Sequence, residues 1–404
     1  MKVISNEKGT SVYIESLALH REMKGKIEVC SKIRIESRKD LSLVYTPGVA
    51  QACIEIAKNK DNVYNYTSKG NIVAIVTDGS AVLGLGNIGP EAALPVMEGK
   101  AVLFKEFGGV DAFPICLDTQ DVEDIIHTVK RIAPGFGAIQ LEDIAAPRCF
   151  EIEDRLKKEL NIPVFHDDQH GTAIVLLAAL INALKVVKKK FGALKVVVLG
   201  AGAAGTATTK ILKCVGYNPE MCTPIGEIIV CDRDGIIYEG RPNLNAPKRE
   251  IASYTNRKKI KGTIADAVEG ADVLIGVAGP DLIKPYMIQK MAKDPIVFAM
   301  ANPVPEIMPD QALEAGAAVV ATGRSDFPNQ INNVLAFPGL FKGVFEAKAK
   351  TINTEMELAA VHALADFIKT PSKENIIADA LDKRVVPAVA EAVKKAALRT
   401  KADI

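Results

Sequence analysis

The chain has 404 residues, 48% of them hydrophobic and 25% charged, with a formal net charge of +1. That length allows two or three domains with full cores, and the charge balance leaves no electrostatic case for nucleic acid or an anionic membrane as partner. The 7 cysteines are odd in number, scattered and without a CxxC pair, which predicts buried thiols in a reducing cytoplasm.

The opening stretch MKVISNEKGTSVYIES lacks the apolar run of a secretory signal. A helix-like pattern covers Ser16–Lys26. Tyr45 then precedes a Thr-Pro-Gly turn, and a helix is expected beyond it. On this segment alone the tyrosine reads as structural, its ring packed and its hydroxyl wet. Asn71–Val76 is a strand running into Asp78-Gly79-Ser80. Gly84, Gly86 and Gly89 then form a GxGxxG that the turn separates from the strand, so the dinucleotide pattern is not met there. Such a loop still lets a ligand approach the backbone closely. Lys100 lies on the following helix among apolar neighbours. Lysine is seldom buried without a partner, so it is either snorkelling to the surface or facing a crevice as a base.

A βαβ unit follows, with strands at Asp111–Asp118 and Ala138–Leu141. The runs Ala138–Leu141 and Ile162–Phe165 read as buried strands. Each leads into acid, Glu142–Asp143 after the first and Asp167–Asp168 after the second. Carboxylates at neighbouring strand ends of an α/β sheet converge on the crevice where such sheets bind ligands, and a shared cation relieves their repulsion. Oxygen donors suit Mg²⁺ or Mn²⁺ better than zinc. Taken singly, Asp143 and Asp168 also fit helix N-caps; the doubled acidic pair favours metal. The apolar run Ala173–Leu184 is broken by Asn182 and too short to span a bilayer, so it is read as a core helix, with no membrane partner.

Lys195–Leu199 is a strand that passes without a break into GAGAAG, and a helix follows. Gly200, Gly202 and Gly205, with Ala203 and Ala204 between, match the dinucleotide fingerprint. The next strand, Glu227–Cys231, ends in Asp232, which would bond ribose hydroxyls and repel a 2′-phosphate. NAD is therefore expected over NADP, with the neighbouring Arg233 acting the other way and keeping NADP as the alternative. Three more strands follow, Asp272–Gly276, Ile296–Met300 and Ala318–Ala321, and their loops should face the cofactor, which puts Asn302 and Asn333 near it. Helices fill the chain from Phe337 onward. The expected fold is α/β: an N-terminal α/β catalytic and metal-binding domain over 1–169, a Rossmann-type doubly wound NAD-binding domain over 170–336, and a C-terminal helical segment over 337–404 that packs back on the body. On residues alone this is a metal-assisted dehydrogenase. A non-catalytic dinucleotide sensor would need neither Tyr45 nor Lys100 together with three acids.

The motifs YTPGVA (45–50), VTDGSAVLGLGNIGP (76–90), MEGKAVLFKEFGGVDAFP (97–114), LEDIAAP (141–147), FHDDQHGTA (165–173), GAGAAG (200–205), ANPVPEI (301–307) and QINNVLAFPG (330–339), in that order, resemble malic enzyme, most of all its short bacterial and archaeal form. The resemblance implies oxidative decarboxylation of malate to pyruvate and CO₂ with reduction of NAD. It implies Tyr45 as general acid and Lys100 as general base. Glu142, Asp143 and Asp168 become metal ligands with Asp167 behind them, and Lys100, Asn302 and Asn333 contact substrate. It also implies at least a homodimer in the cytoplasm, with crevice residues drawn from both chains. Malolactic or oxaloacetate decarboxylase activity at the same site is the alternative. One departure stands out: large eukaryotic members carry a carboxylate-gripping arginine two residues after the DG turn, and this chain has Ala81.

Overall fold

The computed structural model of the chain describes residues 7–82 and 84–402. Strands β1 (Ile72–Thr77), β2 (Asp111–Cys116), β3 (Ala138–Leu141) and β4 (Val164–His166) form a parallel sheet in the order β2-β1-β3-β4. β1 reads IVAIVT, and Val73–Thr77 are buried, which suits a parallel strand covered by helices on both faces. The chain steps from β1 to β2 on one side and returns to β3 on the other. The switch point therefore lies between β1 and β3, beside the strand ends that carry Asp78 and Glu142.

The second sheet contains β5 (Lys195–Leu199), β6 (Glu227–Asp232), β7 (Gly235–Ile236), β8 (Val273–Gly276), β9 (Ile296–Ala299) and β10 (Val319–Thr322), in the order β10-β9-β8-β5-β6-β7. All pairs are parallel except the short β6–β7 hairpin. Its switch point lies between β5 and β8, as in a doubly wound dinucleotide-binding sheet.

The helix Thr172–Val187 follows β4 and leads to the second sheet. It buries Ala173–Leu180 along its first half, and each large aliphatic side chain so covered contributes about 1.5–3 kcal/mol. Its Asn182 donates to the carbonyls of Ala365 and Ile376, so the polar break in the apolar run has its partners. The helical run Asp167–Val187 is 21 residues long with mean hydropathy 1.8, enough by length and composition to cross a membrane; 67% of it is buried inside the fold. The apolar run Ala173–Leu184, too short by itself to span a bilayer, is only part of it. Burial, not length, makes it a core helix. The C-terminal helices Phe337–Ala347, Thr354–Phe367 and Val385–Thr400 pack on one another, and Thr354–Phe367 packs on this helix.

The N-terminal helices differ from the rest. Arg38–Val44 and Val49–Lys58 bury none of their residues. Val12, Ile14, Leu17, Leu43 and Tyr45 are each between 63% and 68% exposed. The first described helix runs over Glu7–Met23, earlier than the Ser16–Lys26 pattern suggests.

The cysteine expectation is corrected. Cys149 and Cys231 are buried, but Cys30 and Cys53 are exposed, and Cys214 and Cys222 form a disulfide. A turn after the helix Ala203–Leu212 brings these two together across 8 residues, a spacing that carries no motif. The case for a reducing compartment loses that support.

Candidate active site

β3 and β4 are hydrogen-bonded neighbours, with Leu141 paired to His166. The acids that follow each strand therefore leave the sheet side by side. Glu142, Asp143 and Asp168 each offer an oxygen, and these oxygens lie within 4.8 Å of one another. Asp143 has φ 54°, and its N–H donates to Asp168 Oδ2 at 2.8 Å. Its carbonyl accepts from the N–H of Ala81 at 2.9 Å, which docks the Asp78–Ser80 turn against the cluster. Neither acid caps a helix: the N-cap positions are Pro147 and Gly171. The capping alternative is thereby removed.

Lys100 comes in from the helix Pro90–Leu103. Its Nζ is 2.8 Å from Glu142 Oε1 and 2.8 Å from Asp167 Oδ2, and it sits over the Phe337 ring at 4.7 Å. It is not a snorkelling lysine. Burial works against its charge, but Asp167 and Glu142 outweigh burial and hold the ammonium above its ordinary range. Burial, with Asp168, Asp167 and Asp143 crowding it, pushes the Glu142 carboxyl up against the pull of Lys100. Asp167 Oδ2 also accepts from Asn333 Nδ2 at 3.1 Å, while its Oδ1 is buried without a hydrogen bond. Gly171 is required beside it, because a Cβ there would lie 1.9 Å from Asp167 Oδ1. A compact set of three carboxylates, all hard oxygen donors, fits Mg²⁺ or Mn²⁺.

At the second sheet, Gly200 has φ 118°, and a Cβ on it would meet the Val277 carbonyl at 2.6 Å, on the far side of the switch point. A Cβ on Gly205 would lie 1.9 Å from the Gly200 carbonyl. Ala203 and Ala204 begin the next helix with Gly202 as its N-cap, so free N–H groups face the crevice and suit a pyrophosphate. Asp232 ends β6 as expected, but it is not a lone acid. Arg241 and Lys248 both hold its carboxylate, and Arg233 points to solvent with 90% exposure. Asn302, in the loop after β9, lies against the loop after β1: a Cβ on Gly84 would lie 2.2 Å from its carbonyl. Asn333 reaches Asp167, as described. Tyr45 does not join them. Its ring is exposed, and its described hydrogen bonds are backbone bonds to Leu41 and Val49.

Sequence reasoning missed a buried polar group behind the acids. Glu153, on the helix Arg148–Glu159, accepts from the His166 N–H, Gln169 Nε2, His170 Nε2 and Lys157 Nζ. The other ring nitrogen of His170 is 3.2 Å from Glu357 Oε1, and Tyr217 donates to Glu357 Oε2. Burial opposes charge on His170, but Glu153 and Glu357 outweigh it and push the imidazole pKa above its usual range. Gln169 and His170 lie in the FHDDQHGTA stretch, but no local pattern marks Glu153, Tyr217 or Glu357.

Malic enzyme family models cover the chain in two pieces, the N-terminal domain over residues 24–157 and the NAD binding domain over residues 169–398. The chain is 58% identical over 389 residues to the bifunctional malic/malolactic enzyme of Bacillus subtilis (strain 168), covering 96% of this chain and 93% of that one. It is 54% identical to the NAD-dependent malic enzyme of Geobacillus stearothermophilus, covering 99% and 82%. The solved NAD-dependent malic enzyme of Thermotoga maritima superposes with a TM-score of 0.89 at 51% identity, covering 94% of this chain and 98% of that one. Two acid-bearing strand ends, a dinucleotide loop and likeness along nearly the whole length lead to one conclusion: the chain belongs to the malic enzyme family.

Proposed function

We propose that the protein is an NAD-dependent malic enzyme that converts malate and NAD to pyruvate, CO₂ and NADH with Mg²⁺ or Mn²⁺. The observation that carries this is the cluster of Glu142, Asp143 and Asp168 within 4.8 Å, with Lys100 against Glu142. Glu142, Asp143 and Asp168 would hold the divalent ion, which would supply Lewis acidity at the substrate oxygens and offset the negative charge that faces Lys100. Gly200–Gly205 would hold NAD, which would supply the hydride acceptor.

The chain's own residues do the rest. Lys100 removes the C2 hydroxyl proton. Asp167 orients Lys100 from behind. Asn302 and Asn333 hold substrate oxygens, which matters more in a chain with Ala81 where an arginine would grip the distal carboxylate. Loss of CO₂ leaves an enol, and Tyr45 protonates its C3. Tyr45 reaches the site from a second copy of the chain. The N-terminal helices that carry it expose a run of large apolar side chains, a surface that suits burial in a homodimer. The working division is 1–169 for metal and substrate, 170–336 for NAD and 337–404 as a helical segment packed on both.

Because a relative as similar as the Bacillus subtilis protein is named a bifunctional malic/malolactic enzyme, malolactic turnover at the same site is a second reading. Malate, NAD and Mn²⁺ incubated with the protein should yield pyruvate, CO₂ and NADH in equal amounts. Lactate as the main product would favour the second reading, and no turnover of malate would overturn both.

A further inference from the structure

The turn Asp167–Gly171 has two working sides only a residue apart. Asp167 and Asp168 face Lys100, Asn333 and the N–H of Asp143. Gln169 and His170 face the opposite way, into the buried group around Glu153 and Glu357. That group ties together parts of the chain far apart in sequence. Glu153 lies on the helix after β3, Glu357 on the C-terminal helix Thr354–Phe367, and Tyr217 in the loop after the dinucleotide helix.

A histidine ring held at both nitrogens between two buried carboxylates is poorly explained as a source of stability, since apolar packing of the same volume usually does as well. Such a group does fix geometry, since each partner has a narrow range of distances and angles. Here the geometry fixed is that of the turn holding one of the three acids. Glu153 alone would anchor His170 through a single nitrogen and let the ring pivot. Glu357 on the second nitrogen stops the pivot, and the Tyr217 hydroxyl stops Glu357 from turning away.

We propose that Glu357, held by Tyr217, is a positioning residue for the metal-binding turn: through His170 it fixes Asp167–Gly171 and so sets how tightly the acids grip a divalent ion. This rests on the reading of Glu142, Asp143 and Asp168 as ligands. Outer partners of metal ligands in other proteins act in this way, and their loss typically weakens metal affinity by about 10–100-fold.

The test is Mn²⁺ binding, followed by the electron paramagnetic resonance signal of free Mn²⁺, on the full-length protein well below its melting temperature. Glu357→Gln should raise the Mn²⁺ dissociation constant by about 10-fold, at the low end of that range, since no ligand is touched. Tyr217→Phe keeps every charge and should shift it a few-fold the same way; it decides the matter if Glu357→Gln does not fold. NADH binding, read by its fluorescence, should stay at the wild-type value in both. Wild-type Mn²⁺ affinity in the folded variants, whatever their melting temperature, overturns the proposal. Asp168→Asn separates the two levels. If it loses Mn²⁺ while Glu357→Gln does not, only the positioning role fails; if it too binds normally, the ligand assignment fails with it.

Discussion

Lys248 Nζ lies 2.6 Å from Asp232 Oδ2, on a carboxylate that Arg241 already grips through both oxygens. Burial alone would raise the Asp232 carboxyl, but Arg241 and Lys248 hold it down at about 2. The acid expected to repel a 2′-phosphate therefore comes with two cations, and Arg233 is not one of them. Arg241 also donates to the carbonyls of Gly235 and Ile236 and is locked in place. Lys248, 23% exposed in its side chain, is the freer of the two.

The first prediction follows from that balance. With Asp232 present, both cations are engaged, and kcat/KM should favour NAD. Asp232→Ser releases them and should raise kcat/KM for NADP by about 10-fold or more, one charge-assisted hydrogen bond being worth about 1.5–3 kcal/mol. Lys248→Ala should lower NADP use and change NAD use little. Kinetics with both cofactors decide it. An unchanged NAD to NADP ratio in Asp232→Ser would remove Asp232 from specificity altogether.

The sequence was most informative at strand ends. β3 and β4 each announce their acid by an apolar run that stops, and β5 runs straight into its glycines, so the apolar runs put Glu142, Asp168 and Gly200 just beyond the strands, where they lie in the fold. Partners from distant segments left no such trace. Tyr217 and Glu357 are 140 residues apart, and nothing in either local pattern names the other. Lys100 was ambiguous for the same reason, since its burial depends on Glu142 and on Asp167, which lies 67 residues away. Arg241 and Lys248 sit in a loop and at a helix start, where charge is ordinary; only the fold returns them to Asp232.

The second prediction concerns metal. Turnover should vanish in excess chelator and return with Mn²⁺. Glu142→Gln and Asp168→Asn should each abolish it while NADH binding persists, because the dinucleotide loop belongs to the other sheet. Full activity of the chelated protein would sink the metal reading.

The third separates Lys100 from Tyr45 by half-reaction. Malate oxidation needs a base for the hydroxyl proton, and oxaloacetate decarboxylation skips that step but still ends in an enol. Lys100→Ala should lose malate oxidation by roughly 10²–10⁴-fold and lose less of the decarboxylation. It strands Glu142 and Asp167 without their ammonium, so a stability loss of about 3 kcal/mol is expected, and rates must be taken on the folded protein. Tyr45→Phe should damage both half-reactions with little change in melting temperature, since its ring is exposed. Wild-type rates for Tyr45→Phe in both assays would return Tyr45 to a surface residue.

The fourth asks which copy supplies Tyr45. In one protomer Tyr45 makes no described contact with Lys100 or the acids, and it sits among exposed apolar side chains. If it serves the partner's crevice, two inactive variants can complement each other. Lys100→Ala and Tyr45→Phe chains are co-expressed with different tags, and the mixed dimer is purified on both. One of its two crevices then pairs an intact Lys100 with an intact Tyr45 from the other chain, while the second crevice carries both lesions. The mixed dimer should recover about half of the wild-type rate, as two-fold symmetry requires. If each chain used its own tyrosine, both crevices would carry one lesion and the mixed dimer would stay as inactive as its parents. Sedimentation of the wild type supplies the control: a monomer that turns over malate at full rate would exclude a shared crevice outright.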